Sequence, residues 1–552
     1  MKARGGIRLG AGAVLCVVGF VLAKGTGYRE TTVAFDAGGC HLVTDIIDKG
    51  EDETQGSVVL LHGLSANKKI MEYLAHGFAE QNLRVFVPDL PGHGRTPGPF
   101  TFARAESCGE SLVRELIAQR VIDPQRTILA GHSMGGAIAI RVATRVGVAG
   151  VIAISPAPMR VAHGVPGDML PYTNPPPLPP HTLAMSAAFE PLGIRESTRD
   201  LVAGDATATS QYLFVPGATH VSVLFDGRVA RAAQDWAAKT LGLASQASGP
   251  SSVPLIGSVL GLAGILLLAG PFLRETLGRN RRRAAPEREV EFARHLTRAQ
   301  RWALRLGLGI GVAADDPLVG TLMAAKTLNE SKDSGDAAEG LSLFRSLTEV
   351  VLASLLAVLV LRYWNPLAFV GMYNGGYFAS FLLITGLALL VLHRQAVRAL
   401  ATTIRITTVV RAALAALVLH LLVTGWLDAT FMESWVSAAR WARFPVLFIA
   451  ALSYLLAEEL LVGPSGTLSA WMRLAVALAL RFAAFLVLVF GIFVLHSGAI
   501  LLLLLAVFLA LFFVFQRMGM DLVRRETGSA LAAAVFGAIL LAGFCLVIFP
   551  VT

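Results

Sequence analysis

Charged residues are scarce in this sequence. Asp, Glu, Lys and Arg together make up 15% of its 552 residues, whereas soluble globular proteins carry about 25%. Hydrophobic residues reach 54%, and the mean hydropathy is +0.62. This composition excludes a disordered or collagen-like chain and argues against a wholly soluble one. It predicts several membrane-spanning segments and leaves enough length for a soluble domain.

Cysteine is also rare, with four residues in the whole chain. So few cysteines exclude a disulfide-rich scaffold, and their spacing matches no metal-binding motif. Cys16 and Cys545 lie in apolar runs, so only Cys40 and Cys108 could pair in a soluble domain. A disulfide between them and two separate buried thiols are both open alternatives at this point. We expect no metal and no cofactor.

The net charge of +9 is unevenly distributed along the chain. Residues 27–243 contain 18 Lys and Arg against 21 Asp and Glu, whereas residues 244–552 contain 25 against 17. The first 26 residues contain four basic residues and no acidic one. Because the positive excess lies beside hydrophobic segments, it indicates membrane orientation rather than binding to nucleic acid.

The N-terminal segment, residues 1–26, has the pattern of a membrane-targeting sequence. A short apolar run at residues 7–23 is accompanied by Lys2, Arg4 and Arg8. A signal peptide and a signal anchor both fit this pattern. No small-residue cleavage site follows the run, which favours an uncleaved anchor. Either reading delivers the following residues across the membrane.

Residues 27–243 have the alternating pattern of a single soluble α/β domain. Short apolar runs alternate with helical patterns that carry charged faces, for example at residues 103–120. Continuous apolar strands separated by helices predict a mostly parallel sheet covered by helices. The predicted strands lie at 58–63, 83–90, 126–133, 148–155, 181–189 and 211–217.

The remaining chain has the pattern of a helical membrane domain. Residues 244–273 combine a polar linker with about 20 apolar residues, the length needed to cross a bilayer. Residues 274–345 form a basic segment, in which positions 274–305 contain ten Arg against four Glu. Residues 346–552 predict about seven further spans, which gives nine with the N-terminal one. These seven lie at 346–363, 368–392, 411–427, 441–462, 474–495, 498–515 and 529–550.

The basic segment indicates the cytoplasmic side of the membrane, as do the N-terminal basic residues. Residues 27–243 are therefore expected outside, in a multi-pass protein of the plasma or inner membrane. Arg440 and Arg443 conflict with this topology unless they reach the membrane interface. Most ionisable residues in the apolar segments are expected near span ends, namely Glu349, Arg411, Glu458, Glu459 and Arg481. His420 and Asn374 are expected deeper, in interhelical hydrogen bonds.

The sequence Gly131-His132-Ser133-Met134-Gly135 is the clearest chemical motif. It follows an apolar strand and precedes a helical pattern, which is the context that a G-x-S-x-G nucleophile motif requires. Small residues on either side of the serine permit the tight turn that exposes its hydroxyl. The N-terminus of the following helix favours negative charge developing there.

Two further motifs precede this one. His62-Gly63-Leu64 ends a strand, and Asp89-Leu90-Pro91-Gly92-His93-Gly94 ends the next. With the serine motif, they resemble the α/β-hydrolase superfamily, and within it esterases similar to monoacylglycerol lipase and serine aminopeptidase. The resemblance covers residues ~30–242 and implies an oxyanion hole formed by the amides of Leu64 and Met134. His62 is expected to be a structural, hydrogen-bonded histidine.

The resemblance also implies the order serine, acid, histidine for a catalytic triad. His220 lies between the last strand and a final amphipathic helix, which is the family's position for the base. Glu190 follows the preceding strand as the acid, although many relatives have Asp there. Asp205 and Asp200 are the alternatives. Two other histidines, His163 and His181, lie in or beside a proline-rich stretch and are expected to be solvated.

The proline-rich stretch is too short for a large lid, which favours an open site and a small acyl or lipid substrate presented from the bilayer surface. The sequence thus predicts a membrane-anchored serine hydrolase that cleaves or transfers acyl groups of esters, thioesters or amides. The alternative is a transporter or scaffold whose hydrolase-like domain only binds a ligand or partner. The oligomeric state is left undetermined.

Overall fold

A computed structural model of the protein describes residues 2–25, 27–50, 54–156, 177–190, 192–205, 208–245, 248–277, 335–401, 404–463, 470–495 and 499–552. The central part of the proline-rich stretch and most of the basic segment lie outside the described residues. We call residues 27–245 the sheet domain. The helices from residue 253 onward, together with the N-terminal helix, form the helical domain.

The sheet domain contains one eight-stranded sheet. Its strands are β1 (Arg29–Ala37), β2 (Cys40–Asp48), β3 (Gly56–Leu61), β4 (Leu83–Pro88), β5 (Thr127–His132), β6 (Gly150–Ile154), β7 (Thr182–Phe189) and β8 (Gln211–Thr219). Their order is β1-β2-β4-β3-β5-β6-β7-β8. The six strands from β3 to β8 are parallel to one another. At one edge, β1 and β2 form an antiparallel hairpin, and β2 pairs antiparallel with β4. The mostly parallel sheet is as predicted.

Five helices cover this sheet, namely α2 (Glu72–Glu80), α3 (Phe102–Ala118), α4 (Met134–Val146), α5 (Leu192–Ala203) and α6 (Gly227–Thr240). Two apolar cores lie on opposite faces of the sheet. Ile128 faces the core that contains Phe78 of α2 and Trp236 of α6. Leu129, the next residue of β5, faces the core that contains Leu112 of α3. The central strands β3, β4, β5 and β6 are therefore buried on both faces, which explains their continuous apolar sequences.

A disulfide joins Cys40 at the start of β2 to Cys108 in α3, with a Cα–Cα distance of 5.6 Å. It settles the alternative that the sequence left open, because the hairpin lies against α3. The other two cysteines, Cys16 and Cys545, are free.

Within the described residues, eight helices of the helical domain are long and apolar enough to cross a membrane. Their bounds are Val253–Leu277, Leu343–Tyr363, Gly375–Leu392, Ile406–Thr430, Ala438–Val462, Trp471–Leu495, Ala506–Thr527 and Ala530–Ile548. These eight segments belong to the following described helices, which also include three short ones: α7 (Val253–Leu277), α8 (Gly335–Tyr363), α9 (Gly375–Leu392), α10 (Arg394–Ala401), α11 (Ile406–Thr430), α12 (Ala438–Trp441), α13 (Phe444–Val462), α14 (Ala470–Leu495), α15 (Ile500–Leu504), α16 (Ala506–Thr527) and α17 (Ala530–Ile548).

The N-terminal helix, α1 (Lys2–Lys24), packs along α7. Glycines permit the two backbones to approach closely. A Cβ atom on Gly19 would lie 2.5 Å from the backbone nitrogen of Gly261, so a larger residue would force the helices apart.

One predicted span is misplaced. The sequence predicts a helix over 498–515, but the described chain forms the short helix α15 and then α16, which extends to Thr527. The prediction stops early because Arg517 and Asp521 reduce the local hydropathy. Both residues are buried in the structure and form an ion pair with each other.

Glu458 and Glu459 lie within four residues of the end of α13, as expected, but the expectation that they and Arg481 extend to the membrane interface is wrong. All three side chains are buried between helices. Glu458 accepts two hydrogen bonds from Arg481, each 2.9 Å long, and one from Arg517. Packing of α13 against α14 and α16 pairs these charges within the helical domain, so they need no contact with water.

Of the two polar residues that were expected deep in the membrane, Asn374 forms the expected hydrogen bond between helices, with α15, although it lies at the start of a helix, whereas His420 does not. Asn374 is the residue before α9, and its side-chain oxygen accepts from the Leu501 amide at 3.2 Å. His420 is buried beside Gly543 of α17, but its hydrogen bond is with Thr424 in the same helix. Arg440 lies at the junction of the domains, where it donates to the carbonyl oxygens of Gly92 and Leu546.

Candidate active site

The turn between β5 and α4 places Ser133 at the carboxyl edge of the sheet. Its φ of 52° and ψ of −117° are strained for a non-glycine residue. Neighbouring glycines make the turn possible, because Cβ atoms on Gly131 and Gly135 would lie 2.3 and 2.2 Å from backbone atoms. The sequence motif therefore forms the strand-turn-helix geometry that presents a serine hydroxyl.

His220 and Glu190 extend from Ser133 in a continuous hydrogen-bonded chain. The Ser133 hydroxyl lies 3.0 Å from His220 Nε2, and His220 Nδ1 lies 3.0 Å from Glu190 Oε2. The other carboxylate oxygen of Glu190 accepts from the Ala187 amide at 2.9 Å. All three side chains are at least nine-tenths buried. A carboxylate on Nδ1 fixes the tautomer in which Nε2 can accept the serine proton.

The alternative acids do not reach this histidine. Asp205 accepts from the Ser210 amide at 3.1 Å, and Asp200 pairs with Arg199 beside it. His181 is exposed, and His163 lies outside the described residues. Of the described candidates, Glu190 and His220 are therefore the residues that the fold brings to Ser133.

The predicted oxyanion residues border the serine. Met134 is the first residue of α4, so its N–H has no acceptor within the helix. Leu64 follows β3, which is the immediate neighbour of β5 in the sheet. The preceding residue, Gly63, is so close that a Cβ atom there would lie 3.1 Å from the Ser133 Cβ. The segment that contains Leu64 thus lies against the nucleophile.

His62 is a structural residue, as the sequence predicts. Its Nδ1 donates to the Gly63 carbonyl at 2.8 Å, and its Nε2 accepts from the Leu90 amide at 2.9 Å. The ring is fully buried, and burial lowers its pKa to about 4. A neutral imidazole therefore ties the Leu64 segment to the loop after β4.

His132 is a site residue that sequence reasoning missed. Its Nε2 donates to the backbone carbonyl of His220 at 2.7 Å, so it holds the loop that carries the base. Burial, followed by repulsion from His220, lowers the pKa of His132 to about 3. Its position beside Ser133 in the motif was the available signal. Its partner, 88 residues away, could not be read from the sequence.

The helical domain contacts the same side of the sheet domain. Tyr373, which precedes α9, makes edge-to-face contacts with Phe100 and Phe102. Leu64 packs against the apolar cores of both domains. On the acid side, Phe189 is 70% exposed immediately before Glu190. Apolar side chains of both domains thus pack around Leu64, and an exposed apolar side chain adjoins the acid.

One described cluster has carboxylates spaced closely enough for a metal ion. Oxygen atoms of Glu30, Asp45 and Glu72 lie within 4.8 Å of one another. Lys68 already lies 3.1 Å from Asp45 and neutralises part of this charge. The hydrogen-bonded chain at Ser133 includes none of these residues.

Comparison with known proteins agrees with the fold. The model of the alpha/beta hydrolase family matches residues 58–498. A Mycobacterium phage D29 protein described as a non-heme haloperoxidase is 35% identical over 92 residues, which are 17% of this chain and 32% of the relative. A pimeloyl-[acyl-carrier protein] methyl ester esterase of Nitrosospira multiformis is 32% identical over 110 residues, 20% of this chain and 38% of the relative.

These matches span about a third of the length of the curated relatives. Among solved structures, an esterase of Pyrobaculum calidifontis is similar with a TM-score of 0.34 and 16% identity, covering 44% of this chain and 92% of the esterase. The family match extends over more than half of the sequence. The chain belongs to the alpha/beta hydrolase family.

Proposed function

We propose that the protein is a serine hydrolase that cleaves or transfers acyl groups through an acyl-enzyme on Ser133. The observation that carries this proposal is the uninterrupted contact from serine to histidine to carboxylate, with two distances of 3.0 Å. A serine hydroxyl is a weak nucleophile unless an oriented base removes its proton. A ligand-binding domain would have no need of this arrangement.

Each residue then has a defined step. His220 Nε2 takes the hydroxyl proton as Ser133 attacks the acyl carbonyl, and it later gives this proton to the leaving group. Glu190 stays ionised, holds the ring orientation and stabilises the imidazolium. The amides of Leu64 and Met134 donate to the oxyanion of the tetrahedral intermediate. Water attacks the acyl-enzyme in the second half-reaction, with His220 again as base.

Ester, thioester and amide substrates all suit this chemistry, and a lipid-derived acyl group suits the surroundings best. The curated esterase relative is named for a methyl ester of an acyl chain on a carrier protein. Apolar residues lie beside the site, and the exposed side chain of Phe189 adjoins the acid. An acyl chain could therefore reach Ser133 from the membrane side of the sheet domain.

We further propose that the helical domain anchors the enzyme in a membrane with the sheet domain outside. Eight long apolar helices support anchoring. The disulfide between Cys40 and Cys108 supports the outside location, because such bonds persist in oxidising compartments. The arginine-rich sequence after α7 supports the same orientation.

Covalent labelling tests the catalytic proposal. Separate portions of membranes containing the full chain are either labelled with a fluorophosphonate probe or, without the probe, assayed with p-nitrophenyl butyrate. We expect labelling and hydrolysis in the wild type, and loss of both in Ser133→Ala. Ser57→Ala serves as the matched control, because Ser57 is a buried serine at the opposite end of β3. An unlabelled wild type, or unchanged labelling in Ser133→Ala, would refute the proposal.

A further inference from the structure

The segment that follows Leu64 is held by the helical domain. Residues 65–69 lie against residues 428–435, which end α11 and continue into the loop before α12. We call residues 428–435 the docking loop. Its buried partners in the sheet domain include Asn67 and Lys68, which are 3% and 2% exposed. The contact therefore begins three residues after the amide that we assign to the oxyanion hole.

Asn67 pairs with the backbone of the docking loop. Its side-chain amide donates to the Glu433 carbonyl, and its side-chain oxygen accepts from the Glu433 N–H, each at 3.2 Å. Two antiparallel bonds to one residue fix both the distance and the orientation of the segments. This pairing needs no charge, so it persists over a wide pH range.

Lys68 adds a buried ionic contact to the same residue. Its ammonium group bonds to the Glu433 carboxylate and lies 3.1 Å from Asp45 and 3.8 Å from Asp89. Removing one partner of a buried charge pair is strongly unfavourable, because the other charge loses a partner away from water. The sheet domain supplies two acidic groups to this lysine, and the helical domain supplies the third.

The other side of Glu433 is equally ordered. Arg95, from the loop after β4, lies 3.2 Å from the Glu433 carboxylate and 3.4 Å from Asp428. Asp428 shapes the docking loop, because one of its oxygens accepts from the amides of Ser434 and Trp435. Glu433 is thus presented by a preorganised loop and not by a flexible side chain alone.

The contact is transmitted to the oxyanion segment through a short turn. The Ala66 amide donates to the Gly63 carbonyl at 3.1 Å, and the Ser65 amide donates to His93 Nε2 at 3.2 Å. Ser65 has a φ of 62°, an uncommon conformation for a serine. Leu64 therefore lies in a tight turn fixed by the strand on one side and by Asn67 on the other.

We propose that Glu433 is a positioning residue through which the helical domain holds the Leu64 amide in place for oxyanion stabilisation. The inference rests on the proposed function, since it concerns the same site. A donor aimed at the oxyanion must be held within a fraction of an ångström, and an error of about 1 Å can cost ~100-fold in rate. The helical domain then holds part of the active site in position, in addition to anchoring the protein in the membrane.

Burial, followed by hydrogen bonding with Asp89, raises the pKa of Glu433 to about 7. A neutral side chain of the same shape should consequently be tolerated at this position. The amide oxygen of glutamine can accept from Lys68, whereas alanine offers no acceptor. This difference separates a positioning role from a general requirement for charge.

The test compares three variants of the full chain in membranes. Glu433→Ala removes the contact, and Glu433→Gln preserves its shape. Glu349→Ala is the matched control, because Glu349 likewise pairs with two basic side chains, those of Arg345 and His393, but lies on α8, away from the docking loop. The values of kcat and KM are measured with p-nitrophenyl butyrate. A separate portion of each sample is labelled with the fluorophosphonate to its end point. The amount of label gives the number of folded active sites, and kcat is expressed per folded site.

We expect Glu433→Ala to reduce kcat about tenfold with KM changed less than twofold, because the donor acts mainly in the transition state. Glu433→Gln should recover kcat to within about threefold of wild type. Equal kcat values for Glu433→Ala and Glu349→Ala would overturn the inference, as would a change confined to KM or a failure of glutamine to restore activity. A wild type that neither labels nor hydrolyses the ester would instead overturn the proposed function.

Discussion

Glu190 is held at both oxygens, by the His220 ring and by the Ala187 amide. A glutamine there would keep the shape but would present an amide group to one of these two donors. We expect Glu190→Gln to reduce kcat on the order of a thousandfold or more, because the imidazolium loses its counter-charge. Ester hydrolysis per labelled site measures this effect.

Asp205→Asn is the matched control for that substitution, because it also changes a carboxylate to an amide in the same domain. Its partner is the Ser210 amide, so activity should stay within about twofold of wild type. A fully active Glu190→Gln variant would remove Glu190 from the triad. Strong loss in Asp205→Asn would favour the alternative acid.

The buried histidines make the fold sensitive to acid. The pKa values of His62 and His132 are lowered to about 4 and about 3, whereas an unfolded histidine titrates near 6.5. The unfolded state therefore binds more protons below pH 6.5. The stability that neutral His62 and His132 contribute is fully present above that pH and is lost as the pH falls towards 4.

We expect the wild type to lose fluorophosphonate labelling on incubation between pH 6.5 and 4. Each pKa unit corresponds to about 1.4 kcal/mol. The free energy of unfolding of His62→Gln should therefore fall by roughly 3 kcal/mol less than that of the wild type between these pH values, and its labelling should persist to lower pH. The exposed His41, which pairs with Asp36, provides the control substitution His41→Gln. Identical acid sensitivity in wild type and His62→Gln would contradict the assignment.

At the residue scale, the sequence motif predicts the position of Ser133, and family order predicts where to look for His220 and Glu190. The fold then brings these side chains together. His132 and Glu433 could not be found in this way. Their partners are distant in sequence, and neither residue type has a preferred spacing from its partner that a pattern could reveal.

The element scale concerns how individual strands and helices are joined. The disulfide between Cys40 and Cys108 fastens the edge hairpin to α3 and closes a loop with a sequence separation of 68. A loop of this size corresponds to about 4 kcal/mol in the chain-entropy model. We expect Cys40→Ala/Cys108→Ala to lose active-site labelling at a urea concentration about 1–2 M lower than wild type.

Cys16→Ala provides the control for that variant, because Cys16 is a free thiol in α1. The bond itself is detected by mass spectrometry of peptides prepared with and without reductant. The cross-linked peptide should be present only in the sample without reductant. Separate peptides in both samples, together with an unchanged urea midpoint, would show that the pair does not form.

Strands and helices could be predicted from the sequence where their buried residues are apolar. The six strands from β3 to β8 were predicted within a few residues. The hairpin of β1 and β2 was not, because most side chains of β1 are exposed and its sequence lacks an apolar run. In α16 the reverse holds, since Arg517 is fully buried but contacts Glu458, Glu459 and Asp521. Hydropathy counts such a residue as polar whatever its partners.

At the scale of the whole molecule, the contacts between the domains indicate that successive long helices cross one membrane in alternating directions. The start of α7, the loop before α9, the docking loop and the residues after α17 all lie at the end that contacts the sheet domain. For example, Val551 forms two backbone hydrogen bonds with the segment 92–100. The end of α7 at Leu277 and the described residues 393–401 and 404–405 belong to the opposite end, as successive crossings of one membrane require.

This alternation gives a prediction of sidedness that can be measured in intact cells. Gln119→Cys places a thiol on an exposed position at the end of α3, and Arg398→Cys places one on exposed α10. If the sheet domain lies outside, a membrane-impermeant maleimide will label Gln119→Cys in intact cells and Arg398→Cys only after permeabilisation. The native free thiols, Cys16 and Cys545, lie in apolar helices, so the unmodified chain gives the background. The reverse pattern would place the hydrolase site in the cytoplasm, and equal labelling without permeabilisation would rule out a membrane barrier between the two positions.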